Sequence, residues 1–317
     1  MSSEAEVDRH PGAEPPTGRQ HRLVFGDQEA VVTEVGATLR TYHLDGRRVL
    51  DGFAEEEQST HGRGQMLLPW PGRIGDGRYR LDGREHQLPV DEPQLGNAIH
   101  GLARWANWTA EQPSEARLSM RHLLHAREGY PFSLDLRLAF ALDAGGLTVT
   151  VSATNIGTGR APFGAGTHPY LTAGTTLIDG CRLHIPAATA LVEDGRLLPT
   201  GRAPVAGTDL DFRAARPIGT TAINTAYTDL ERDPDGLARV SLEAPDGRRV
   251  VVWLDSAHPW VMVFTGDPLP PNQRRHGVAI EPMTCPPDAF RSGEDLTVLE
   301  PGQSSRATWG IDVTGLR

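Results

Sequence analysis

Apolar and polar residues alternate strictly along a stretch in the middle of the chain. Every second residue between Leu134 and Leu142 is Leu or Phe, and every second residue from Leu147 to Ala153 is Leu, Val or Ala. The segment Asp143-Ala144-Gly145-Gly146 separates the two runs. A period of two places these apolar side chains on one face of a sheet, and Gly-rich segments favour tight turns. The pattern therefore predicts an antiparallel hairpin with one buried face.

The same kind of pattern occurs before and after this hairpin. Residues 78–88 and 240–254 are each expected to form a hairpin, around Asp82-Gly83 and Asp246-Gly247, because Asp-Gly favours the primed turns that join two strands. Trp260 to Thr265 is a dense apolar run typical of a central strand. The chain has no long amphipathic helical pattern, no change in composition that marks a linker and no repeat of fixed period. The sequence therefore predicts an all-β fold, one large antiparallel β-sandwich in a single domain.

The composition excludes several classes of protein. The 317 residues include 35 Gly and 25 Pro, and the 31 basic and 41 acidic residues give a formal charge of −10. Every basic residue is Arg. The absence of Lys excludes a P-loop ATPase, a Schiff-base aldolase and a pyridoxal enzyme, because each needs a lysine amine. The acidic balance argues against nucleic acid or an anionic membrane as a partner.

The start of the chain and its two cysteines bear on its location. Residues 1–20 carry charges and three prolines but no apolar run, so we expect a disordered tail and not a signal peptide. No segment approaches the roughly 18 apolar residues of a membrane span. Cys181 and Cys285 are far apart and belong to no CxxC motif, which favours two reduced thiols. These features predict a cytoplasmic protein.

Common catalytic and metal-binding motifs are absent from the sequence. It contains no GxSxG, no HExxH, no GxGxxG after a strand and no EF-hand loop. His122 and His125 are three residues apart, which places them on opposite faces of a strand. A cupin-like metal site usually begins with two His at alternate strand positions, and no HxH occurs. The sequence therefore predicts no metal site.

Titratable residues interrupt apolar or Gly/Pro-rich segments at four strand ends. The segments are 67–74 with Arg73, 97–101 with His100, 166–170 with His168, and 278–282 with Glu281. Taken singly, each His fits a hydrogen-bonded structural residue, and Arg73 fits a salt-bridging residue. Glu281 follows three apolar residues, and a carboxylate at the end of a buried strand is costly unless it is paired.

Together these segments resemble the aldose 1-epimerase (galactose mutarotase) family. The resemblance covers nearly the whole chain from about residue 21, and its anchors follow the family's order. They are Pro69-Trp70-Pro71-Gly72-Arg73-Ile74, Ile99-His100-Gly101, Gly129-Tyr130-Pro131-Phe132, His168-Pro169-Tyr170, and Glu281 followed by Cys285-Pro286-Pro287-Asp288-Ala289-Phe290. The resemblance implies a large antiparallel β-supersandwich over residues 21–317, an open cleft for a free sugar, and no metal or organic cofactor.

The resemblance also implies an acid–base reaction. Mutarotation opens a cyclic hemiacetal by removing the proton of the anomeric hydroxyl and protonating the ring oxygen, and the ring then closes on the other face. By resemblance, Glu281 is the base and His168 the acid, while Arg73, His100 and Asn224 bind the sugar. A carboxylate favours the charged form of a nearby His. We therefore expect a carboxylate and an imidazole about one sugar ring apart across a cleft, with the charged form of His168 favoured.

Three positions depart from the family's pattern. Gly72 and Thr172 stand where the family has, or often has, Asn, and Asn224 stands where an Asp would accept a hydrogen bond from a sugar hydroxyl. Asp229 is an alternative equivalent of that Asp. A charged acceptor forms the stronger hydrogen bond, so we hypothesise weaker binding or a differently substituted sugar. Trp70 is expected either to stack on the sugar or to belong to the core.

The leading functional interpretation is an enzyme that interconverts the α and β anomers of a free aldose. The alternatives are a hexose-6-phosphate 1-epimerase, a non-catalytic sugar-binding module, and a repurposed enzyme that acts on a modified sugar or a non-sugar metabolite. A phosphate substrate would need converging arginines, for which Arg63, Arg73, Arg78 and Arg104 are candidates. The expected partner is a small-molecule sugar, and the chain is expected to be a monomer or a homodimer.

Overall fold

Strands make up almost all of the regular structure. The computed structural model describes residues 14–316, which form 27 strands, a four-residue helix α1 (Ala289–Ser292) and a 3₁₀ turn (Thr314–Leu316). The first nine strands are β1 (Gln20–Phe25), β2 (Gln28–Thr33), β3 (Leu39–Leu44), β4 (Arg47–Arg48), β5 (Met66–Leu67), β6 (Arg73–Gly75), β7 (Arg78–Leu81), β8 (Arg84–Gln87) and β9 (Asn97–Ile99). The next nine are β10 (Thr109–Ser114), β11 (Arg117–Leu124), β12 (Leu134–Asp143), β13 (Gly146–Asn155), β14 (Ala161–Phe163), β15 (Gly166–Thr167), β16 (Tyr170–Leu171), β17 (Arg182–His184) and β18 (Ala187–Glu193). The last nine are β19 (Pro199–Pro204), β20 (Arg216–Pro217), β21 (Asn224–Leu230), β22 (Ala238–Glu243), β23 (Arg249–Leu254), β24 (Trp260–Phe264), β25 (Val278–Met283), β26 (Thr297–Leu299) and β27 (Ser304–Asp312).

Two large antiparallel sheets carry the fold. One has nine strands in the order β10-β11-β12-β13-β27-β23-β22-β17-β20. The other has eight strands, in the order β19-β18-β21-β24-β25-β15-β5 with β16 also paired to β25. Strands β1 to β4 form a separate four-stranded sheet. These sheets confirm the predicted all-β class and the single-domain antiparallel sandwich.

The predicted hairpins are present. The long hairpin β12–β13 pairs Asp143 with Gly146, and β22–β23 and β7–β8 form the other two. Asp82 and Gly83 both have positive φ, 50° and 79°, as a primed turn requires. The predicted tail, residues 1–20, lies mostly outside the described residues, and β1 begins at Gln20.

One hydrophobic core joins the two large sheets. It includes Phe140 and Trp309 from the nine-stranded sheet and Val261, Val263 and Ile280 from the eight-stranded sheet. Both cysteine thiols are free and buried. Among residues 14–316, no helix has the length and apolar character needed to cross a membrane.

Candidate active site

A cavity over the eight-stranded sheet contains all five predicted site residues. Arg73, His100, His168, Asn224 and Glu281 line this cavity, whose volume is about 450 Å³. A larger hollow of about 560 Å³ lies over β10 to β13 of the nine-stranded sheet and contains none of the five. In the described part of the chain, no group of three or more His, Cys, Asp or Glu side chains is arranged to hold a metal ion.

Alternation along β25 explains how Glu281 reaches the cavity. Val278 and Ile280 belong to the main core, whereas Glu281 and Met283 line the cavity on the opposite face. All six residues of the strand are buried, because the core covers one face and the cavity wall covers the other. The carboxylate that the sequence places after three apolar residues therefore faces the cavity instead of the core.

The pairing of short strands brings His168 to Glu281. Gly166 of β15 lies opposite Met283, and β16 continues the same register along β25. That register places His168, between the two short strands, opposite Glu281. Neighbouring side chains on paired strands point to the same face of a sheet, so the imidazole and the carboxylate meet.

His168 and Glu281 are in direct contact. Nε2 of His168 lies 3.3 Å from Oε1 of Glu281, and both side chains are almost fully buried. The expected separation of about one sugar ring is therefore wrong. The anomeric hydroxyl and the ring oxygen are bonded to the same carbon, so an acid and a base that serve them have to lie close together.

The surroundings fix the orientation of the imidazole. The ring of Tyr170 stacks on it at 5.0 Å between centroids and 9° between planes, and the Tyr170 hydroxyl donates to the backbone oxygen of His61 at 2.9 Å. Gly62 packs directly against the imidazole: a Cβ built there would lie 2.5 Å from Cδ2 of His168. Gly62 also has a φ of +78°, which L side chains rarely adopt. The imidazole is thus held between the aromatic ring of Tyr170 and the backbone of Gly62.

Burial disfavours the charged forms of both members of the pair. Burial, with smaller contributions from the nearby Arg63 and Arg73, lowers the pKa of His168 to about 3. Burial raises the pKa of Glu281 well above its usual range, with Arg73 opposing that rise. The expectation that the carboxylate favours a charged His168 is therefore wrong, because burial outweighs the attraction within the pair. Burial therefore favours the uncharged form of each group, an imidazole beside a protonated carboxyl group.

Arg73 is held at the cavity wall by a carboxylate. Its Nε and Nη2 donate to the two oxygens of Glu92 at 2.8 and 2.9 Å, and Glu92 also accepts a bond from Nδ2 of Asn97 at 3.1 Å. Strand β6 pairs with β9, which sets Arg73 opposite Ile99. A bidentate pair of this kind fixes the plane of the guanidinium. Arg73 therefore presents a fixed positive charge beside His168 and Glu281.

His100 stands on a tight turn just after β9. Its φ is +60°, and its backbone N–H donates to the oxygen of Gly72 at 2.8 Å. Its ring meets that of His168 edge to face, at 5.6 Å between centroids. Burial lowers the pKa of His100 well below its usual value, and the neighbouring His168 and Arg104 add to that effect. His100 is therefore a neutral imidazole at the cavity wall.

Asn224 lies where a second carboxylate enters the cavity. It begins β21, and Glu193, which ends the neighbouring strand β18, lines the same cavity. Burial raises the pKa of Glu193 to about 7, while the positive charge of Arg73 opposes that rise. Asp229 is exposed on the same strand as Asn224 and is not among the cavity-lining residues. The structure therefore places Asn224, and not Asp229, at the cavity.

The other positions singled out in the sequence have local explanations. Gly72 has a φ of +64° and packs so closely that an added Cβ would lie 2.9 Å from the Pro287 ring. Thr172 is buried, and its hydroxyl accepts from the backbone N–H of Gly174 at 3.2 Å within a turn. Trp70 is 3% exposed and packs 5.5 Å from the Phe290 ring, so it belongs to the core and does not line the cavity.

Sequence reasoning missed several residues that shape the site. Gly62, Glu92, Tyr170 and Glu193 all line the cavity. Tyr170 belongs to the His168-Pro169-Tyr170 motif, so its place beside His168 could have been predicted from the sequence. Glu92 and Glu193 lie in segments without a distinctive pattern, and only the strand pairing brings them to the cavity.

The fold has close counterparts among solved structures. A galactose mutarotase-like protein from Clostridium acetobutylicum superimposes with a TM-score of 0.81 at 19% identity, covering 92% of this chain and 93% of that one. The galactose 1-epimerase of Lactobacillus acidophilus NCFM superimposes with a TM-score of 0.76 at 20% identity, covering 90% and 91%. The architecture is therefore the galactose mutarotase-like β-supersandwich.

Sequence comparison gives the family. The family model for aldose 1-epimerase matches residues 20–312, so this chain belongs to the aldose 1-epimerase family. The protein YihR of Escherichia coli (strain K12) is 35% identical over 296 residues, which are 93% of this chain and 93% of YihR. Human galactose mutarotase is 32% identical over 199 residues, which are 58% of this chain and 57% of the human protein.

Proposed function

We propose that this protein is an aldose 1-epimerase that interconverts the α and β anomers of a free aldose without a cofactor. The observation that carries the proposal is the 3.3 Å contact between His168 and Glu281 in the wall of a cavity of about 450 Å³. A carboxylate and an imidazole at this distance reach two oxygens bonded to one carbon. Family membership supports an epimerase reaction at that carbon.

The proposed reaction moves one proton into the pair and one out of it. Glu281 takes the proton of the anomeric hydroxyl while His168 gives one to the ring oxygen, and the C1–O5 bond breaks to leave an aldehyde. Rotation about C1–C2 presents the other face, and the reverse transfers close the ring. The pair starts with an imidazolium and a carboxylate and ends with an imidazole and a carboxylic acid, so its proton count is unchanged. The reverse transfers of ring closure return the pair to the first form. Burial favours the second form in the resting site, so a proton crosses the contact from Glu281 to His168 before ring opening.

Neighbouring groups support substrate positioning and charge. Arg73 carries a fixed positive charge that favours an oxyanion developing on the sugar, and its pairing with Glu92 holds it in place. His100 is a neutral imidazole and can both donate to and accept from hydroxyl groups. Tyr170 and Phe264 contribute aromatic rings to the wall. These features suit a polyhydroxylated ring.

The charges around the cavity favour a neutral sugar over a hexose phosphate. Of the four candidate arginines, Arg73 and Arg104 line the cavity, and each is already paired with a carboxylate. Arg63 is buried against Asp51, and Arg78 bonds Gln87 outside the cavity. A phosphate dianion needs free donors that converge on it, and these pairings leave few.

Catalysis is favoured over binding alone. Sugar binding alone does not require an acid and a base in direct contact. Burying both groups costs free energy, which a reaction that uses them for proton transfer explains and binding alone does not. The same pair is compatible with a repurposed reaction on a modified sugar, since any cyclic hemiacetal opens by the same proton transfers. The substrate test below separates these cases.

The proposal is tested by following anomers directly. Freshly dissolved α-glucose or α-galactose is mixed with the protein, and the approach to anomeric equilibrium is followed by polarimetry or NMR. We expect faster equilibration with a free aldose. Acceleration only with a hexose 6-phosphate supports the phosphate epimerase instead. Binding without acceleration of any aldose supports a sugar-binding module.

The pH dependence of kcat should lack the usual imidazole titration. Because burial lowers the pKa of His168 to about 3, a second proton enters the pair only near that pH and not near 6.5. Because burial raises the pKa of Glu281, the shared proton is retained well above the usual carboxyl range. We expect kcat at saturating sugar to show no titration near pH 6.5 and to stay level as the pH falls from there towards about 5. A fall of about tenfold per pH unit below 6.5 would contradict this account.

Gly62→Ala should lower kcat by displacing the imidazole. The added Cβ would lie 2.5 Å from Cδ2 of His168, so the ring has to move. Misplacing a catalytic group by about 1 Å costs up to about 100-fold, so we expect a 10- to 100-fold fall in kcat. Gly302→Ala is the matched control, because Gly302 has a φ of +80° and open space around the new Cβ. Equal kcat values for the two variants would show that Gly62 does not position His168.

A further inference from the structure

Glu193 is a carboxylate in the cavity wall without a protein partner. It ends strand β18 and lines the cavity that contains His168 and Glu281. Among the described residues, its carboxylate has no ion pair and no side-chain hydrogen bond. A partly buried carboxylate without a partner loses part of its hydration without compensation, so a group that enters the cavity is its natural partner.

The charged and polar neighbours of Glu193 are engaged elsewhere. Arg73 directs Nε and Nη2 to Glu92. The adjacent Asp194 is exposed and accepts from the backbone N–H groups of Arg196 and Leu198 in the following turn. Asp194 therefore serves the fold of the loop, whereas Glu193 is left free for the cavity.

Asn224 lies beside Glu193 at the same edge of the sheet. Strands β18 and β21 are antiparallel neighbours, so the end of β18 meets the start of β21. Asn224 also has no side-chain hydrogen bond among the described residues, and it lines the same cavity. A carboxylate accepts, and an amide both donates and accepts. Together they match the two hydrogen-bonding roles of hydroxyl groups.

The order of strands places these two residues on the far side of the cavity from the catalytic pair. From β18 the sheet runs through β21 and β24 to β25, which carries Glu281. Three steps between strands correspond to about 14 Å across the sheet. Glutamate side chains extend from both ends of that span, which leaves room between them for one sugar ring.

We infer that Glu193 is a substrate-binding residue that accepts hydrogen bonds from the ring hydroxyls farthest from the anomeric carbon, on C3 and C4. This inference rests on the proposed function. With C1 at Glu281 and His168, a pyranose directs those hydroxyls away from the pair and towards Glu193 and Asn224. The site then selects an aldose that bears free hydroxyls at these positions.

Deoxy sugars combined with Glu193 variants test the inference. At about pH 8, where Glu193 is mostly ionised, the unmodified enzyme should lose about 10- to 100-fold in kcat/KM with a 3-deoxy or 4-deoxy aldose, the size expected for a lost hydrogen bond to a charged group. In Glu193→Ala, KM for the full aldose should rise by about the same factor with kcat nearly unchanged, and the same deoxy sugar should bring little further loss. Glu193→Gln keeps the shape and one acceptor oxygen, so it should fall between the two.

Asp229→Asn is the matched control, because it removes a carboxylate from the exposed face of the neighbouring strand and should leave KM unchanged. If Glu193→Ala keeps the KM of the unmodified enzyme and its full discrimination against both deoxy sugars, the inference is overturned while the epimerase assignment stands. If the unmodified protein neither accelerates mutarotation nor binds any aldose in an NMR titration, the proposed function fails and the inference fails with it.

Discussion

Replacing Glu281 with Gln should lower the rate of anomer interconversion by about 10²- to 10⁴-fold, the usual contribution of a general acid or base. The amide fills the same space in the wall of the cavity and can still donate to Nε2 of His168, but it cannot take a proton from the anomeric hydroxyl. The fold should tolerate the change. At a pH above the ordinary carboxyl pKa, Glu281 is ionised in the unfolded chain, whereas burial raises its pKa in the folded protein. Folding at neutral pH therefore works against the ionisation of Glu281, and this group lowers the free energy of unfolding.

The expected outcome is therefore a large loss of kcat with a melting temperature that is equal or higher. Glu243→Gln serves as a control, because it neutralises a carboxylate on β22 of the nine-stranded sheet, away from the cavity. A Glu281→Gln protein that keeps its rate would remove Glu281 from the reaction. A protein that loses rate and melts at a much lower temperature would indicate a structural role instead.

Replacing His168 with Gln should cause a loss of comparable size. The side-chain amide of Gln places a nitrogen near the position of Nε2, which contacts Glu281 at 3.3 Å, but it does not exchange protons near neutral pH. The proposed role of His168 is to protonate the ring oxygen, so kcat should fall by about 10²- to 10⁴-fold while KM changes far less. The rate is measured from NMR time courses at saturating and subsaturating sugar.

His184→Gln is the control for this variant, because His184 lies on β17 of the nine-stranded sheet. A His168→Gln enzyme with a raised KM and an unchanged kcat would make His168 a binding residue only. The same measurement on Glu281→Gln shows whether both members of the pair affect the same step.

Local patterns made much of the fold predictable. Strict alternation from Leu134 to Leu142 and the Asp82-Gly83 turn depend on neighbours in sequence, and both elements formed as expected. The same holds for Glu281, whose place after three apolar residues reflects a strand with the core on one face and the cavity on the other. The family resemblance added His168, His100, Arg73 and Asn224, and the structure brings all of them to one cavity.

Contacts between distant segments were not predictable in this way. Arg73 meets Glu92 only because β6 pairs with β9, and Glu193 reaches the cavity because β18 lies beside β21. No local pattern distinguishes either glutamate from a surface residue.

The protonation state of the pair formed by His168 and Glu281 was also not predictable from the sequence. Considered alone, a carboxylate beside an imidazole favours the charged imidazole, and only the burial of His168 and Glu281 reverses that preference. Burial is a property of the whole fold, which is why the direction of the shift had to come from the structure.

Glu281 and His168 are proposed to act on one hemiacetal as a single unit. The most direct test compares the rate of α/β exchange, measured by NMR at anomeric equilibrium, in the unmodified protein, Glu281→Gln, His168→Gln and the double variant. Residues that act in one step are strongly non-additive, so the double variant should be about as slow as the slower single variant. Losses that multiply in the double variant, or a single variant that exchanges anomers at the unmodified rate, would contradict the account.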